Sequence, residues 1–434
     1  MSGTNARNPL NRLMHRIGES PVAYNDTLMR YSQASLKNAL RTKGYLHAQV
    51  DTLVQTEGRR TRLQYTMRPG RRTYVQELSQ VFDNDSIAQI VHADSAASLL
   101  YRGMPLDFAT LDAERSRMVE LLQNSGYINI NNEFIEYTAD TIAHSTAVRL
   151  TLHFRLPPRA DRALAYQPYR IGKVNIFETT GDVEPSDSSH YRNTHFYNEG
   201  RQRINRLVYV SNNFILADSL YSERATRYTY QNLNALSAVN YSTIRYSNPE
   251  PGDSTIDANI MVHLNKPHGV SLDLEGTNTA GDFGGAATFT YTHRNLFRGA
   301  QALSLKLRGA YEAIRRLEGY SNQNYLEYGA EATLRFPNIP FFSLENGLRR
   351  YKGATDLSLV FNSQNRPEFN RRLLTATLSF KWSRHNRPNW RNQLDLISLN
   401  YVYMPWISDT FRRDYLEGDD ARYAVLRYSY ENLF

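Results

Sequence analysis

From residue 269 to residue 434 the chain runs as successive stretches in which apolar and polar residues alternate, and a period of two points to strands with two unlike faces. In 269–278, Val270, Leu272 and Leu274 share one face, while Ser271, Asp273, Glu275 and Thr277 share the other. Residues 302–312 repeat the arrangement, with Leu303, Leu305, Leu307 and Tyr311 opposed by Ser304, Lys306, Arg308 and Glu312. A soluble sandwich would bury the apolar face against a second sheet, but it seldom carries carboxylates and guanidiniums at so many alternate positions. An exterior that meets lipid and an interior that meets water account for both faces together.

Hydropathy agrees with that reading by exclusion. The mean hydropathy is -0.57, and no run approaches the roughly 18 to 20 apolar residues of a spanning helix, so any membrane crossing is made by strands. The 30 Tyr, 18 Phe and 3 Trp suit aromatic girdles at an interface, and they suit any β-rich surface equally. A length of 434 residues exceeds one ordinary core and predicts several domains. The net charge of +8 is spread evenly, with Lys plus Arg against Asp plus Glu at 30 to 26 in residues 1–267 and 21 to 17 beyond. That spread argues against a nucleic-acid partner. Cysteine is absent, so disulfides and thiolate metal sites are excluded. Residues 1–20 hold Arg7, Arg12, His15 and Arg16 and no apolar signal core, which fits either a cytosolic chain or an incomplete one; residues 1–67 read like the tail of a repeat without its opening strand, so a fragment is expected.

Ahead of the alternating part, a unit repeats. Residues 31–43 place Leu36, Ala39 and Leu40 on one helical stripe, Gly44-Tyr45 closes the helix, and strands follow at 46–56 and 60–67. The same order returns with Asp107 capping a helix of Phe108, Leu111, Met118, Val119 and Leu122, then Gly126-Tyr127, then strands near 129–138 and 146–156. This second unit opens with a strand at 73–82 and a helix at 86–100, so its order is strand, helix, helix, strand, strand. A third unit opens at 169–177, takes a polar insertion around 186–202, and resumes with a helix at 223–236 and strands at 238–246 and 255–264. Pro157-Pro158 and Lys266-Pro267 mark boundaries, since proline stops ladders. The expected division is 1–68, 69–158, 159–267 and 268–434.

Eight strands are expected in the last part: 269–278, 285–294, 302–312, 325–336, 354–362, 373–383, 395–404 and 422–432. The fourth opposes Leu326, Tyr328, Ala330, Ala332, Leu334 and Phe336 to Glu327, Gly329, Glu331, Thr333 and Arg335, and Pro337 and Pro340 end it. The sixth sets Leu374, Ala376, Leu378, Phe380 and Trp382 against Thr375, Thr377, Ser379 and Lys381, gathering aromatics at one end, which we expect at an interface. Residues 281–285 read as a tight hairpin turn. Glu331 and Arg335 are candidates for an inward charge network. The eleven histidines form no ligand spacing, and neither a nucleophile elbow nor a phosphate loop is present. No enzyme, cofactor or metal is expected.

The unit order resembles POTRA domains. POTRA units followed by an antiparallel barrel resemble the outer-membrane protein assembly factor family that includes BamA and TamA, with a bacterial surface antigen barrel. The most specific stretches are Gly-Glu-Ser-Pro-Val at 18–22, Leu-Asp-Ala-Glu-Arg at 111–115, and Tyr-Thr-His-Arg-Asn-Leu-Phe-Arg-Gly-Ala at 291–300, the last similar to the turn between the second and third barrel strands in Bacteroidetes-like envelopes. The resemblance implies an α+β POTRA array ahead of a transmembrane β-barrel of about sixteen strands, of which this chain supplies half. Closure of eight strands alone, with Phe434 as a terminal aromatic, is the alternative. Arg298-Gly299 has the letters of an inward-loop motif, but it sits in an early turn and is not assigned that role.

By the same resemblance the protein sits in the bacterial outer membrane with its POTRA part in the periplasm. The resemblance implies that it inserts unfolded outer-membrane protein precursors into the bilayer, with periplasmic chaperones and accessory lipoproteins as expected partners. Clients would add as strands at POTRA sheets and be templated at a lateral seam formed by the first barrel strand. The candidate seam residues are Gly269, Val270, Leu272, Leu274 and Gly276. The rival readings are a TamA-like or two-partner secretion translocator, a porin with a periplasmic extension, and a soluble β-rich adhesion protein.

Overall fold

A computed structural model describes residues 24–58, 60–142, 146–181, 187–247, 252–279, 282–314, 324–339 and 351–415. The expected eighth strand at 422–432 and the motif at 18–22 lie outside them. The described residues fall into two compact units, one drawn from Met1–Leu122 and Asn129–Tyr166, the other from Gln123–Ile128 and Gln167–Phe434.

In the first unit, helix α1 (Asp26–Thr42) begins where the Asn25 side chain accepts the amides of Thr27 and Leu28, and it ends at Gly44. Gly44 has φ of +90°, and a Cβ there would lie 2.5 Å from the Leu106 carbonyl oxygen, so only glycine fits the turn. Strands β1 (Gln49–Glu57) and β2 (Arg60–Arg68) form a two-stranded antiparallel hairpin. The next module has strand β3 (Tyr74–Phe82), helix α2 (Asp85–Ala93), helix α3 (Phe108–Gln123), strand β4 (Ile135–Thr141) and strand β5 (Ala147–Phe154). Its sheet order is β3-β5-β4, with β3 parallel and β4 antiparallel to the central β5. Val148, Leu150, Leu152 and Phe154, alternate residues of β5, are buried with Ile87 and Val91 of α2 and Leu111, Met118 and Leu122 of α3. The helix expected over 86–100 is shorter, because Asp94 ends it and a 3-10 turn follows. The strand expected from 129 begins at Ile135, since Asn131 caps a 3-10 turn at Asn132–Phe134.

The second unit repeats this plan. Strand β6 (Arg170–Thr179), helix α4 (Arg206–Asn212), helix α5 (Glu223–Asn234), strand β9 (Val239–Tyr246) and strand β10 (Thr255–Leu264) follow in the same order. The polar insertion is not a loop. It forms a hairpin of β7 (Asp187–Tyr191) and β8 (Thr194–Asn198) that joins the sheet, giving the order β7-β8-β6-β10-β9. Helix α4 escapes the sequence pattern, because seven residues are too few for a periodic stripe.

Seven antiparallel strands follow: β11 (His268–Thr279), β12 (Asp282–His293), β13 (Ala302–Ala313), β14 (Tyr325–Phe336), β15 (Tyr351–Asn365), β16 (Phe369–Arg384) and β17 (Arg387–Ile407). They pair strictly in chain order. Because β12 starts at Asp282, the expected turn at 281–285 is narrower than its glycines suggested. The later strands also extend beyond the expected bounds; β17 has 21 residues against ten expected. The cross-strand register keeps the two faces separate. Leu272 faces Phe289, Phe289 faces Leu307, Leu307 faces Ala330, Ala330 faces Phe361, Phe361 faces Leu374 and Leu374 faces Tyr401. One residue along, the row reads Asp273, Thr288, Arg308, Gly329 and Asn362. A slip of one residue at any pair would mix these rows, so the pattern itself specifies the register.

Candidate functional site: a seam strand, a polar face and a module joint

The five seam residues lie on β11, which pairs only with β12 among the described residues. Val270, Leu272 and Leu274 project on the apolar face and are 67%, 64% and 75% exposed, so nothing among the described residues covers them. Gly276 lies opposite Gly285, and a Cβ at Gly276 would meet no atom within 4 Å. A Cβ at Gly269 would instead lie 2.7 Å from the Arg294 guanidinium. Gly276 therefore thins the strand without a steric need, whereas Gly269 leaves room for an arginine.

The opposite face carries a chain of charges. Arg308 Nη2 lies 3.0 Å from Glu275 Oε2, and Lys306 Nζ lies 3.4 Å from Glu331 Oε2. Asp356 is the most buried charge of the row and takes three contacts: Arg335 Nε at 2.6 Å, Arg335 Nη2 at 2.8 Å and Lys381 Nζ at 2.8 Å. Glu331 and Arg335 thus share the polar face but pair with other residues, since they stand four positions apart along the strand while Lys306 and Asp356 lie directly across the ladder from them. Phe380, expected at an interface, is buried. Near it, Gly353 leaves room for Ile339, whose Cδ1 would lie 2.7 Å from an added Cβ.

Within the second unit, the β12–β13 turn is built into the α/β module. Ala300 is 2% exposed and belongs to the module's apolar cluster with Leu236 and Ile204. The Ser237 hydroxyl lies 3.0 Å from Arg294 O and 3.1 Å from Ala300 O, and so bridges the two ends of the turn. Asn205 N donates to Arg298 O at 2.7 Å, Asn295 Nδ2 donates to Arg203 O at 3.0 Å, and Arg298 Nη2 donates to Gln202 O at 2.5 Å. Arg298 and Ala300 hold φ of 61° and 58°, a left-handed conformation costing non-glycine residues of order 1 kcal/mol or more each, which this web of bonds sustains. A further contact comes from the β16–β17 turn, where His385 packs on Phe214 at 5.0 Å and Tyr228 at 4.9 Å between ring centroids.

Behind the joint sits a buried carboxylate that sequence reading missed. Glu178 accepts Arg203 N at 2.6 Å, Ile204 N at 3.2 Å and the Tyr209 hydroxyl at 2.7 Å. Its signal was present: Val174, Ile176 and Glu178 occupy alternate positions, so the carboxylate stands in an apolar row. Burial, reinforced by Glu178, drives the Tyr209 phenol well above its ordinary value. In the first unit Glu114 is a counterpart. Burial opposes its charge most strongly, but Arg117, the Leu99 amide and the Ser98 hydroxyl together hold its carboxyl below the usual range.

The class is defined by these features: α+β modules of strand, helix, helix, strand, strand order, followed by an antiparallel sheet with one apolar and one charged face, part of a β-barrel. No protein-family model matches the sequence, and no curated protein matches it. Among solved structures, the chain is similar to the POTRA3–5 region of Haemophilus influenzae BamA, at 10% identity over 54% of this chain and 80% of that one, with a TM-score of 0.32. It is also similar to BamA from Haemophilus ducreyi lacking POTRA domains 1–3, at 10% identity over 71% and 59% with a TM-score of 0.34. CdiB from Acinetobacter baumannii follows at 11% identity over 76% and 64%, with a TM-score of 0.31. The chain spans about three fifths of the length of the latter two.

Proposed function

We propose that this chain is part of an outer-membrane machine that receives unfolded outer-membrane proteins and helps them into the bilayer. In this reading three POTRA-type modules at 1–68, 69–158 and 159–267 lie in the periplasm, and 268–434 supplies the first part of the barrel. The observation that carries it is the two-faced sheet: a continuous apolar exterior, with Val270, Leu272 and Leu274 uncovered, backed by a charged and hydrogen-bonded row. A soluble adhesion protein would leave such a surface open to water, which favours aggregation.

The role is mechanical and calls for no catalytic group. A client strand would add by backbone hydrogen bonds at a module edge and then at β11, where pairing depends little on side-chain identity. The bilayer and unfolded precursors are the proposed partners, with chaperones and accessory lipoproteins in supporting roles. A single-substrate translocator is the second reading, favoured by one observation. At the foot of the polar face, Arg335, Lys352, Lys381 and Arg391 line an open recess of about 740 Å³ with Asn232 of α5, a wet mouth suited to an extended chain.

Heat-modifiable migration on detergent gels would show a barrel in the protein that carries this chain. Depleting that protein then separates the two roles. Loss of many outer-membrane proteins is the expected result; if one secreted substrate alone is lost, insertion is the wrong reading.

A further inference from the structure

The two complete modules share one ladder and differ at one edge. In the earlier module, Val75 N donates to Met104 O at 2.9 Å and Gly103 N to Val75 O at 2.7 Å, closing the start of β3. In the later one, Ile171 N donates to Ser219 O and Asp218 N to Ile171 O, both at 2.8 Å, closing the start of β6 in the same way. Beyond that point they part. Residues 174–178 pair in parallel with β8, whereas the matching residues 78–82 pair with no strand on that side among the described residues. The match follows from the central strands: Leu78 faces Leu150 and Phe82 faces Phe154, as Val174 faces Ala258 and Glu178 faces Val262.

Exposure records the missing neighbour. Val174, Ile176 and Glu178 are all buried, but Leu78, Gln80 and Phe82 are half-buried and Val81 is 47% exposed. Asp83 N turns inward to Phe154 O, so by alternation Leu78, Gln80 and Phe82 turn their backbone groups to the open side. The filled seat shows what the open one takes. On β8, Thr194, Phe196 and Asn198 point inward and are buried, while Tyr197 stacks on Phe177 at 4.7 Å. Glu199 then anchors the hairpin through the hydroxyls of Thr179 and Thr180.

We infer that residues 78–82 form a seat for one added extended strand, parallel to β3 and apolar at its central inward position, and that the later module carries its own permanent occupant of the matching seat. This rests on the strand-addition role proposed above. It assigns that role to the earlier module and denies it to the β6 edge of the later one, whose outermost strand β7 is short and polar, the usual protection of an edge.

The test is amide exchange on the full chain in detergent micelles, with and without a synthetic peptide copying its own alternating strand, residues 302–313. The expected result is at least tenfold slower exchange at 78–82, no change at 174–178 or 187–198, and at least tenfold weaker peptide binding by Gln80→Pro, which removes a central outward amide. The exchange measurement on the unaltered chain stands even if that variant misfolds. Protection confined to 135–141, 239–246 or β11 overturns the seat while leaving strand addition intact. Binding nowhere overturns both, and the depletion experiment judges membrane insertion independently.

Discussion

The Tyr209 hydroxyl donates to Glu178 Oε2 at 2.7 Å, and the same carboxylate accepts the amides of Arg203 and Ile204. Those two residues are followed by Asn205, whose amide holds the β12–β13 turn at Arg298. A helix, a strand and a sheet turn are thereby joined through one buried carboxyl group.

Glu178→Ala leaves three donors without their acceptor, two of them buried, and each buried one costs roughly 1–3 kcal/mol when unsatisfied. Tyr209→Phe removes one bond and keeps two. The expected order of destabilisation is Glu178→Ala well above Tyr209→Phe, read as faster tryptic cleavage after Arg203 and a lower urea midpoint. Equal cleavage in both variants and the unaltered chain would mean that Glu178 does not hold the segment at Arg203 in place.

Alkaline pH should loosen this module. Burial raises the phenols of Tyr209 and Tyr221 and pushes Tyr246 up to about 12, against an unfolded value of 10.0. Below pH 10 folded and unfolded chains both hold these protons, and the stabilisation is fully present. Above it the unfolded chain ionises first, so stability falls from pH 10 through about 12. Unfolding midpoints taken across that window should drop, and Tyr209→Phe should reduce the slope. A flat profile contradicts the burial of these rings.

Leu272→Arg and Ser271→Arg are adjacent changes on opposite faces. Arginine on a lipid face costs about 2–4 kcal/mol near mid-membrane, and on a wet face far less. Flotation with liposomes should therefore fall sharply for Leu272→Arg and little for Ser271→Arg. The same loss in both would mean that the faces do not meet different solvents.

Asp356→Ala strands Arg335 and Lys381 beside each other. Both cations are about half exposed, which moderates the penalty, so about 1–3 kcal/mol is expected. Glu331→Gln, on a longer and more exposed contact to Lys306, should cost under about 1 kcal/mol. Urea midpoints in micelles compare the two, and a larger effect from Glu331 would reverse the ranking of the polar row.

Much of this fold was legible where side chains alternate. The run Leu326, Tyr328, Ala330 predicted β14 to the residue, because each position reports its own face and the period of two tolerates no slip. Gly44 and Gly126 marked helix ends for a similarly local reason: both hold positive φ. Legibility failed at the insertion, where polar Asp187, Ser188 and Ser189 mask a strand that stays polar because it lies at an edge. It failed again at Glu178, since a carboxylate in an apolar row is explained only by donors 25, 26 and 31 residues away.

By itself, the sequence determined the period of each element, hence the two-faced strands, and the repeated order of strand and helix. Those properties depend on neighbours one to four residues apart, and local sterics and burial decide them. Only the tertiary structure decided which partners meet across long intervals: Glu178 with Tyr209, Asp356 with Arg335 and Lys381, Ala300 within the module core, and β8 against β6. Each of these contacts balances the cost of removing a charge or backbone group from water, and that balance exists only once distant segments are brought together.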